Sequence, residues 1–295
     1  MKKNGWFFRG ETLERHPRTP DTMNISYEFF PARTEQGKKN LQETLAKLDT
    51  TNPDFYSVTF GALGSAQDAT FDTINQLSVA TPVTVAPHLT CVGSDKAQMT
   101  KLLDEYVRLG VSRVVVLRGD IPPAIRDIGE FHYASELVEF IKNKHDNRFT
   151  IDVAAYPEKH PQSKTVATDI EYFVNKVKSG ADSAITQYFY NIDAYFRFVD
   201  EAQQLGADIT IVPGIMPITN YEQLVRFSKI CDADIPAWIL NRLEMYRDDI
   251  NSLKAFGLEV VSEMCHQMRN RGVNDFHFYT MNRSEPTLSI VNNIA

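Results

Sequence analysis

The sequence predicts an α/β protein that forms a single eight-stranded β/α barrel, with an extra helical segment before the last strand. Eight short β-rich runs alternate with longer amphipathic segments along the 295 residues. Several of these runs are apolar almost throughout, as expected of parallel strands that are covered on both faces. The length also suits a barrel of about 250 residues, and repeated strand–helix units favour a closed barrel over an open sheet.

The predicted strands follow one another at the spacing that βα units require. They are ISYEFF (25–30), DFYSVTF (54–60), VTVAPHL (83–89), SRVVVLR (112–118), FTIDVAAY (149–156), DSAITQYFY (182–190), DITIVPGI (208–215) and NDFHFYT (274–280). Amphipathic stretches at 38–49, 98–110 and 170–180 predict helices between strands. Two of them end on a glycine, Gly110 and Gly180, which is a common helix stop.

The segment 232–271 is longer than one crossover needs, so we expect a loop around Pro236 and one or two extra helices there. No change in composition indicates a linker. The sequence therefore predicts one domain over residues 1–295, in which 1–23 form an N-terminal extension. An open Rossmann sheet would need a GxGxxG loop after its first strand, but EFFPART and GALGSA do not match that pattern.

Composition excludes several classes of protein. The formal net charge of −7 disfavours non-specific binding to nucleic acid or to anionic membranes. The three cysteines show no paired spacing, which disfavours a disulfide framework or a structural zinc site. No apolar run is long enough for a transmembrane helix or a signal peptide. We therefore expect a cytoplasmic protein.

Polar residues recur at the carboxyl ends of the predicted strands, where β/α barrels carry their chemistry. Glu28 lies between Tyr27 and two phenylalanines, and such apolar neighbours would raise the pKa of a carboxylic acid into the range of a general acid. The alternative is an outward-facing glutamate paired with a base such as Arg33. The other strand-end residues are Thr59, His88, Arg118 with Asp120, Tyr156, Gln187, and Tyr279 with Arg283.

Each of these residues allows a functional and a structural interpretation. Arg118 and Asp120 flank a glycine, and they could serve a ligand or form a structural ion pair. The loop 154–164 carries Tyr156, His160, Ser163 and Lys164, which could surround a phosphate. No second histidine lies at ligand spacing from His88, so we predict no metal site. No predicted strand contains a lysine that could form a Schiff base with a substrate. One buried acid together with amide, hydroxyl and aromatic groups suits the recognition of a planar heterocycle, with redox chemistry supplied by a cofactor.

Seven motifs together resemble the methylenetetrahydrofolate reductase family. They occur in the family's order, over about residues 24 to 283, and they resemble the short bacterial enzymes that have the catalytic barrel alone. The motifs are YEFFPART (27–34), APHLTC (86–91), LRGD (117–120), AAYPEKHP (154–161), AITQYFY (184–190), PGIMPI (213–218) and DFHFYTMNR (275–283).

The resemblance implies a non-covalent FAD that NADH or NADPH reduces. The reduced flavin would then convert 5,10-methylenetetrahydrofolate to 5-methyltetrahydrofolate in a ping-pong sequence that serves methionine synthesis. By the same resemblance, Glu28 is the proton donor and Asp120 is a catalytic residue beside the flavin and folate. Gln187, Gln223, Phe227 and Arg283 match substrate-binding positions, and relatives self-associate, so a homo-oligomer is expected.

The FAD-lining positions implied by the resemblance are Thr59, Phe60, Ala62, His88, Arg118, Gly119, Asp120, Tyr133, Ala134, Tyr156, His160, Ser163, Asp169 and Lys176. Phe60 departs from the family, where tyrosine is common. Tyr172 and Asn175 stand where bacterial relatives often have an asparagine and an arginine near the FAD phosphates or ribose. Two alternatives remain on this barrel: another flavin-dependent oxidoreductase such as a proline dehydrogenase, and a non-catalytic flavin or folate carrier.

Overall fold

All paired strands among the described residues run parallel and form one sheet. The computed structural model describes residues 23–60, 65–119 and 129–295. The order of the strands in the sheet is β7-β6-β5-β4-β3-β2-β1-β9-β8. The strands are β1 (Asn24–Phe29), β2 (Phe55–Val58), β3 (Thr84–Thr90), β4 (Arg113–Leu117), β5 (Thr150–Ala155), β6 (Ser183–Thr186), β7 (Thr210–Val212), β8 (Gly214–Ile215) and β9 (Asp275–Tyr279).

The sheet closes into a barrel through a strand that is divided in two. Pro213 separates β7 from β8, and proline has no N–H to donate to a neighbouring strand. β7 pairs with β6, whereas β8 pairs with β9. The two short strands therefore occupy one position in the barrel and join its two sides. The predicted eight-stranded barrel is confirmed, and the predicted strand 208–215 is the interrupted one.

Helices follow the strands around the barrel. They are α1 (Glu35–Leu48), α2 (Ser65–Ala80), α3 (Lys96–Arg108), α4 (Ala134–His145), α5 (Val166–Lys178), α6 (Ile192–Gln204), α7 (Tyr221–Cys231), α8 (Ala237–Met245), α9 (Ile250–Asn270) and α10 (Glu285–Ile294). The predicted helices at 38–49, 98–110 and 170–180 correspond to α1, α3 and α5. The extra helices expected before the last strand are confirmed as α8 and α9.

The two predicted glycine stops have the backbone conformation that ends a helix. Gly110 and Gly180 have φ angles of 78° and 111°, in the left-handed region that favours glycine. After α3, the N–H of Gly110 donates to Val107 O and the N–H of Val111 donates to Tyr106 O. These two bonds form a Schellman motif and turn the chain directly into β4.

The described residues form two hydrophobic cores, because a barrel has an inner and an outer face. Phe55, Ala86, Val115 and Ile185 pack together as a small core inside the barrel. The larger core lies between strands and helices, and it includes Tyr27, Phe29 and Tyr56. Alternate residues of β1 therefore point to opposite faces, as the two-residue period of a strand requires. Glu28, between Tyr27 and Phe29, faces the interior.

A buried ion pair fills the amino-terminal end of the barrel. Arg113 donates from Nε and Nη2 to the two carboxylate oxygens of Asp152, at 2.7 and 3.0 Å. Ser183 donates to the same carboxylate, and the Arg113 guanidinium lies 3.7 Å from the centroid of the Phe55 ring. This end is therefore packed with structural side chains, and the opposite end, at the carboxyl ends of the strands, holds the candidate site. No helix in the described ranges is long and apolar enough to cross a membrane.

Candidate active site

Glu28 is a buried carboxyl group at the carboxyl end of β1. Its Oε2 atom lies 3.4 Å from Nε2 of His88 on β3, and only 10% of its side chain is exposed. Because β2 lies between β1 and β3, the two side chains meet across the barrel interior. Burial raises the pKa of Glu28 from 4.5 to about 8. The sequence left open the alternative that Glu28 faces outward and pairs with Arg33. In the structure Glu28 faces inward and contacts His88 instead.

His88 is the uncharged partner in this contact. Burial lowers its pKa from 6.5 to about 4, so the imidazole is neutral at physiological pH. The buried Nε2 atom makes no hydrogen bond to the described residues, because its contact with Glu28 is long and poorly directed. A buried nitrogen without a hydrogen-bond partner lowers the stability of the fold by about 1–3 kcal/mol. His88 therefore has a free hydrogen-bonding position at the barrel mouth, next to the candidate acid.

Tyr279 on β9 lies next to Glu28, and its side chain reaches across the interrupted strand to β6. Its Cα pairs in register with that of Glu28, and its hydroxyl donates to Thr186 O at 2.7 Å. The N–H of Gly214 donates to Thr186 Oγ1 at 2.9 Å. A Cβ at Gly214 would lie 2.1 Å from Thr186 O and 2.6 Å from the Tyr279 ring. Only glycine fits there, and this contact holds Tyr279 against the barrel wall.

The turn after β9 is joined to the turn after β1. Thr280 Oγ1 donates to Glu28 O at 2.6 Å. The Asn282 side chain accepts from Phe30 N at 2.8 Å and donates to Phe30 O at 2.9 Å. Met281 and Asn282 have φ angles of 53° and 54°, a strained conformation for residues other than glycine. This strained turn places Arg283 at the rim of the barrel.

A buried polar chain lies one layer below Glu28, and the sequence analysis did not identify it. Ser26 Oγ lies 2.7 Å from Nδ1 of His277, and Ser57 Oγ lies 3.4 Å from its Nε2. Burial lowers the pKa of His277 to about 3, so this histidine is also neutral. Ser26 and His277 precede Glu28 and Tyr279 by two residues each, so the strand period could have found them.

Residues at the ends of β2 and β4 lie beside the site. Thr59 and Phe60 follow β2 and are half-buried, and the N–H of Thr59 donates to Phe29 O at 3.0 Å. Arg118 follows β4 and donates from Nη2 to Gln162 Oε1. At Gly119 a Cβ would lie 2.9 Å from Thr90 Cβ, so contact with β3 already explains this glycine. Asp120 and Ala62, two further predicted site residues, lie outside the described residues.

The loop between β5 and α5 is held by Asp169, which is buried on α5. One carboxylate oxygen accepts from His160 N at 3.0 Å, and the other accepts from Ser163 Oγ at 2.6 Å. The ring of Tyr156 stands edge-on to that of His160, with centroids 4.6 Å apart. The structure thus brings four of the predicted FAD-lining residues together. Within this set, Asp169 shapes the loop that presents the other three.

Lys176 extends from α5 to the strand layer, where its Nζ donates to Ala154 O on β5. Burial lowers its pKa from 10.5 to about 8. Tyr133 and Ala134 lie at the start of α4, and Ala134 is buried. Tyr133 and Tyr172 are exposed, and their rings stack with centroids 5.5 Å apart and an interplanar angle of 22°. Tyr172, the departure noted in the sequence, thus forms an aromatic pair with a predicted FAD residue.

The predicted substrate-binding residues lie on separate elements around the rim. Gln187 directly follows β6 and is half-buried, and its Oε1 accepts from Tyr188 N. Gln223 and Phe227 are half-buried on α7, one turn apart. Arg283 is exposed after β9. The barrel topology directs these elements to the same end as Glu28, although no hydrogen bond or ion pair given for the described residues joins the four side chains.

Known proteins resemble this chain over most of its length. The family model described as methylenetetrahydrofolate reductase matches residues 12–295. The 5,10-methylenetetrahydrofolate reductase of Escherichia coli (strain K12) is 36% identical over 273 residues, which cover 92% of this chain and 91% of that protein. The enzyme of the same description from Buchnera aphidicola subsp. Acyrthosiphon pisum is 38% identical over 270 residues, with 92% and 91% covered.

A solved structure supports the fold. It is an uncharacterized protein from Clostridium thermocellum that binds two copies of 5-methyl-5,6,7,8-tetrahydrofolic acid. It matches with a TM-score of 0.62 at 15% identity and covers 93% of this chain and 95% of that one. At this identity the likeness shows the fold alone. The family model and the bacterial relatives show more, and the chain belongs to the methylenetetrahydrofolate reductase family.

Proposed function

We propose that the protein reduces 5,10-methylenetetrahydrofolate to 5-methyltetrahydrofolate, with non-covalent FAD as cofactor and NADH or NADPH as reductant. The observation that carries this proposal is the buried Glu28 carboxyl beside a neutral His88 at the barrel mouth. Relatives named for this activity are 36% to 38% identical to the chain. A probable methylenetetrahydrofolate reductase (NADH) from Oryza sativa subsp. japonica, 36% identical, favours NADH.

The substrate explains why a protonated carboxyl group is needed. The methylene carbon of the folate bridges two nitrogens in a five-membered ring, and hydride can reach that carbon only after the ring opens to an iminium ion. Opening requires a proton on the departing nitrogen. Because the pKa of Glu28 is about 8, its carboxyl group carries that proton at neutral pH. The pKa of His88, about 4, keeps the imidazole from competing for it.

The residues around the mouth fit a flavin dinucleotide. Nε2 of His88 offers an unused hydrogen-bonding position to a polar ring edge. Arg118, the loop with His160 and Ser163, and Lys176 would hold the diphosphate and ribose, since they supply cationic and hydroxyl groups at one side of the barrel. When bound, the flavin supplies hydride transfer between the nicotinamide and the folate. The stacked Tyr133 and Tyr172 rings supply an exposed aromatic surface beside this group.

One binding position would serve both substrates in turn, which gives the ping-pong sequence. Gln187 has an amide that can bond either a nicotinamide or a pterin edge. Gln223 and Phe227 on α7 would contact the folate, and Arg283 would bind its anionic end. Asp120 would complete the site as the family position next to the flavin. Membership of the reductase family disfavours the proline-oxidising alternative, and an intact Glu28 disfavours a passive carrier.

The test separates the two half-reactions. We would purify the protein, record its flavin spectrum, and measure anaerobic reduction by NADH and by NADPH, then reoxidation by methylenetetrahydrofolate. Glu28→Gln should retain flavin reduction and lose folate reduction, whereas Glu259→Gln, an exposed substitution on α9, should retain both. If both half-reactions fell together in Glu28→Gln, the acid role would be wrong. A protein that binds no added FAD, or that oxidises proline and ignores folate, would overturn the proposed function.

A further inference from the structure

Two neighbouring side chains of the loop between β5 and α5 hold the segment that follows α7. Glu158 Oε2 accepts from the N–H of Asp234 at 2.9 Å. Lys159 Nζ lies 3.2 Å from Asp232 Oδ2. We call these four residues the α7 anchor. Because the loop belongs to the proposed flavin site and α7 carries two of the proposed folate contacts, the α7 anchor joins the two binding regions.

On the side of the loop, Lys159 fixes the backbone of two predicted FAD-lining residues. Its Nζ donates to His160 O at 3.4 Å and to Ser163 O at 3.3 Å. A lysine ammonium has three N–H donors, and these two bonds together with the contact to Asp232 account for all three. One cation therefore holds both the flavin loop and the end of α7.

On the side of the helix, the α7 anchor acts on the turn that carries Phe227. Asp232 ends α7 with a φ angle of 54°, and its N–H donates to Ser228 O. Ser228 follows Phe227 directly, and its Oγ lies 3.4 Å from the hydroxyl of Tyr188, the residue after Gln187. A displacement of Asp232 would therefore reach the last turn of α7 and the position of the Phe227 ring.

Stability alone does not explain a carboxyl group at position 158. The Oε1 atom of Glu158 is buried and has no hydrogen-bond partner among the described residues. Burial, together with the carboxylates of Asp234 and Asp232, raises the pKa of Glu158 to about 7, against the opposing effect of Arg197. A buried acceptor without a partner destabilises the fold, and an apolar side chain would remove that penalty. What the carboxyl group provides is the bond that sets the position of Asp234.

We infer that Glu158 and Lys159 are positioning residues for the folate half-reaction, which hold α7 against the flavin loop so that Gln223 and Phe227 meet a folate lying on the flavin. The inference rests on the proposed function, which assigns these two α7 side chains to the folate. A general structural role would affect both half-reactions alike. The positioning role instead predicts that loss of the α7 anchor weakens the use of folate and leaves the use of NADH unchanged.

Stopped-flow half-reactions of the FAD-saturated protein test the inference. Glu158→Met should raise the half-saturating concentration of methylenetetrahydrofolate about threefold to tenfold, the size expected of one hydrogen bond. The half-saturating concentration of NADH should stay within about twofold. Glu158→Gln keeps an acceptor for the N–H of Asp234, so its folate value should return to within about twofold of wild type.

A second pair of variants addresses the ion pair of the α7 anchor. Lys159→Met should raise the half-saturating folate concentration about twofold to fivefold, as expected of a partly exposed pair. The matched control is Lys142→Met, which breaks a pair of similar length, 3.0 Å to Asp182, at the opposite end of the barrel. This control should change neither half-reaction.

The inference is wrong if Glu158→Met uses folate as well as the wild type does, or if both half-reactions weaken equally. It is also wrong if Glu158→Gln is as impaired as Glu158→Met. Should Glu158→Met fail to fold, the lysine variants decide, and equal folate values for Lys159→Met and Lys142→Met would exclude the positioning role. A wild-type protein whose reduced flavin is not reoxidised by methylenetetrahydrofolate would overturn the proposed function instead, since that measurement involves no variant.

Discussion

Glu28 Oε2 and His88 Nε2 lie 3.4 Å apart inside the barrel, and neither group is charged between about pH 4 and pH 8. Acid and base side chains at this distance would form an ion pair in water. Here desolvation penalises both charged forms, so the proton stays on the carboxyl oxygen and the imidazole stays neutral. The pair therefore holds one transferable proton that faces the barrel mouth.

The first prediction concerns the pH dependence of folate reduction. Because the pKa of Glu28 is raised to about 8, the acid form is present below that pH and is lost above it. The rate of the folate half-reaction should be level from about pH 6 to 7.5 and fall about tenfold per pH unit well above 8. Stopped-flow reoxidation across pH 6–9.5 measures it. Flavin reduction by NADH should not show this decrease in rate above pH 8. The same decrease in both half-reactions would contradict the assignment of Glu28 as the acid.

The second prediction concerns stability. Glu28 has a pKa of about 8 in the folded protein and 4.5 when unfolded, so unfolding between these values releases a proton. The wild type should therefore lose stability as pH rises from 4.5 to 8, by up to about 1.4 kcal/mol per pH unit relative to Glu28→Gln. Urea denaturation at pH 5, 6, 7 and 8 measures the difference. A difference that does not change with pH would show that Glu28 is not desolvated.

The third prediction concerns Tyr172. Its ring stacks on that of Tyr133, a predicted FAD-lining residue, and both rings are exposed. Tyr172→Ala should weaken FAD binding by roughly threefold to tenfold, the value of an aromatic pair of about 0.5–1.5 kcal/mol. Tyr172→Phe keeps the ring and should bind FAD normally. Titration of the apoprotein by flavin fluorescence measures the dissociation constant, and equal constants for the alanine variant and wild type would contradict the prediction.

The fourth prediction concerns the contact that closes the barrel. A Cβ at Gly214 would overlap Thr186 O, which is backbone and cannot move aside cheaply. Gly214→Ala should lower the free energy of unfolding by about 1–3 kcal/mol, the usual cost of overpacking. Ser78→Ala, exposed on α2, should change it by less than about 0.5 kcal/mol. Denaturant melts of both variants measure these effects, and a neutral Gly214→Ala would show that the divided strand tolerates movement.

Local patterns in the sequence predicted most of the architecture. The strand runs and the amphipathic helices are periodic, and Gly110 and Gly180 mark helix ends by their own backbone preference. The division of the strand at Pro213 was missed, because the surrounding run reads as continuously apolar. Its effect appears only when β9 supplies the partner for the second half. Such long-range pairing leaves no local signal in the sequence.

The candidate site was predicted less completely than the fold. Glu28 and His88 could be selected as polar residues in apolar strands, but the contact between them depends on barrel closure. Asn282 could not be selected at all, because its role comes from two hydrogen bonds to Phe30, 252 residues earlier. Asp120 and Ala62 remain predictions, since they lie outside the described residues.

The pairing of the first strand with the last strand has a consequence for the order of assembly. Asn24 and Asp275 are hydrogen-bonded at 2.9 Å although 251 residues separate them. One edge of β1 therefore has no partner until the ribosome has released nearly the whole chain, and Glu28 acquires its buried environment only at that last step. Unpaired parallel edges are slow to close and prone to aggregate. We expect the environment of the Glu28 carboxyl group to be among the last parts of the molecule to form.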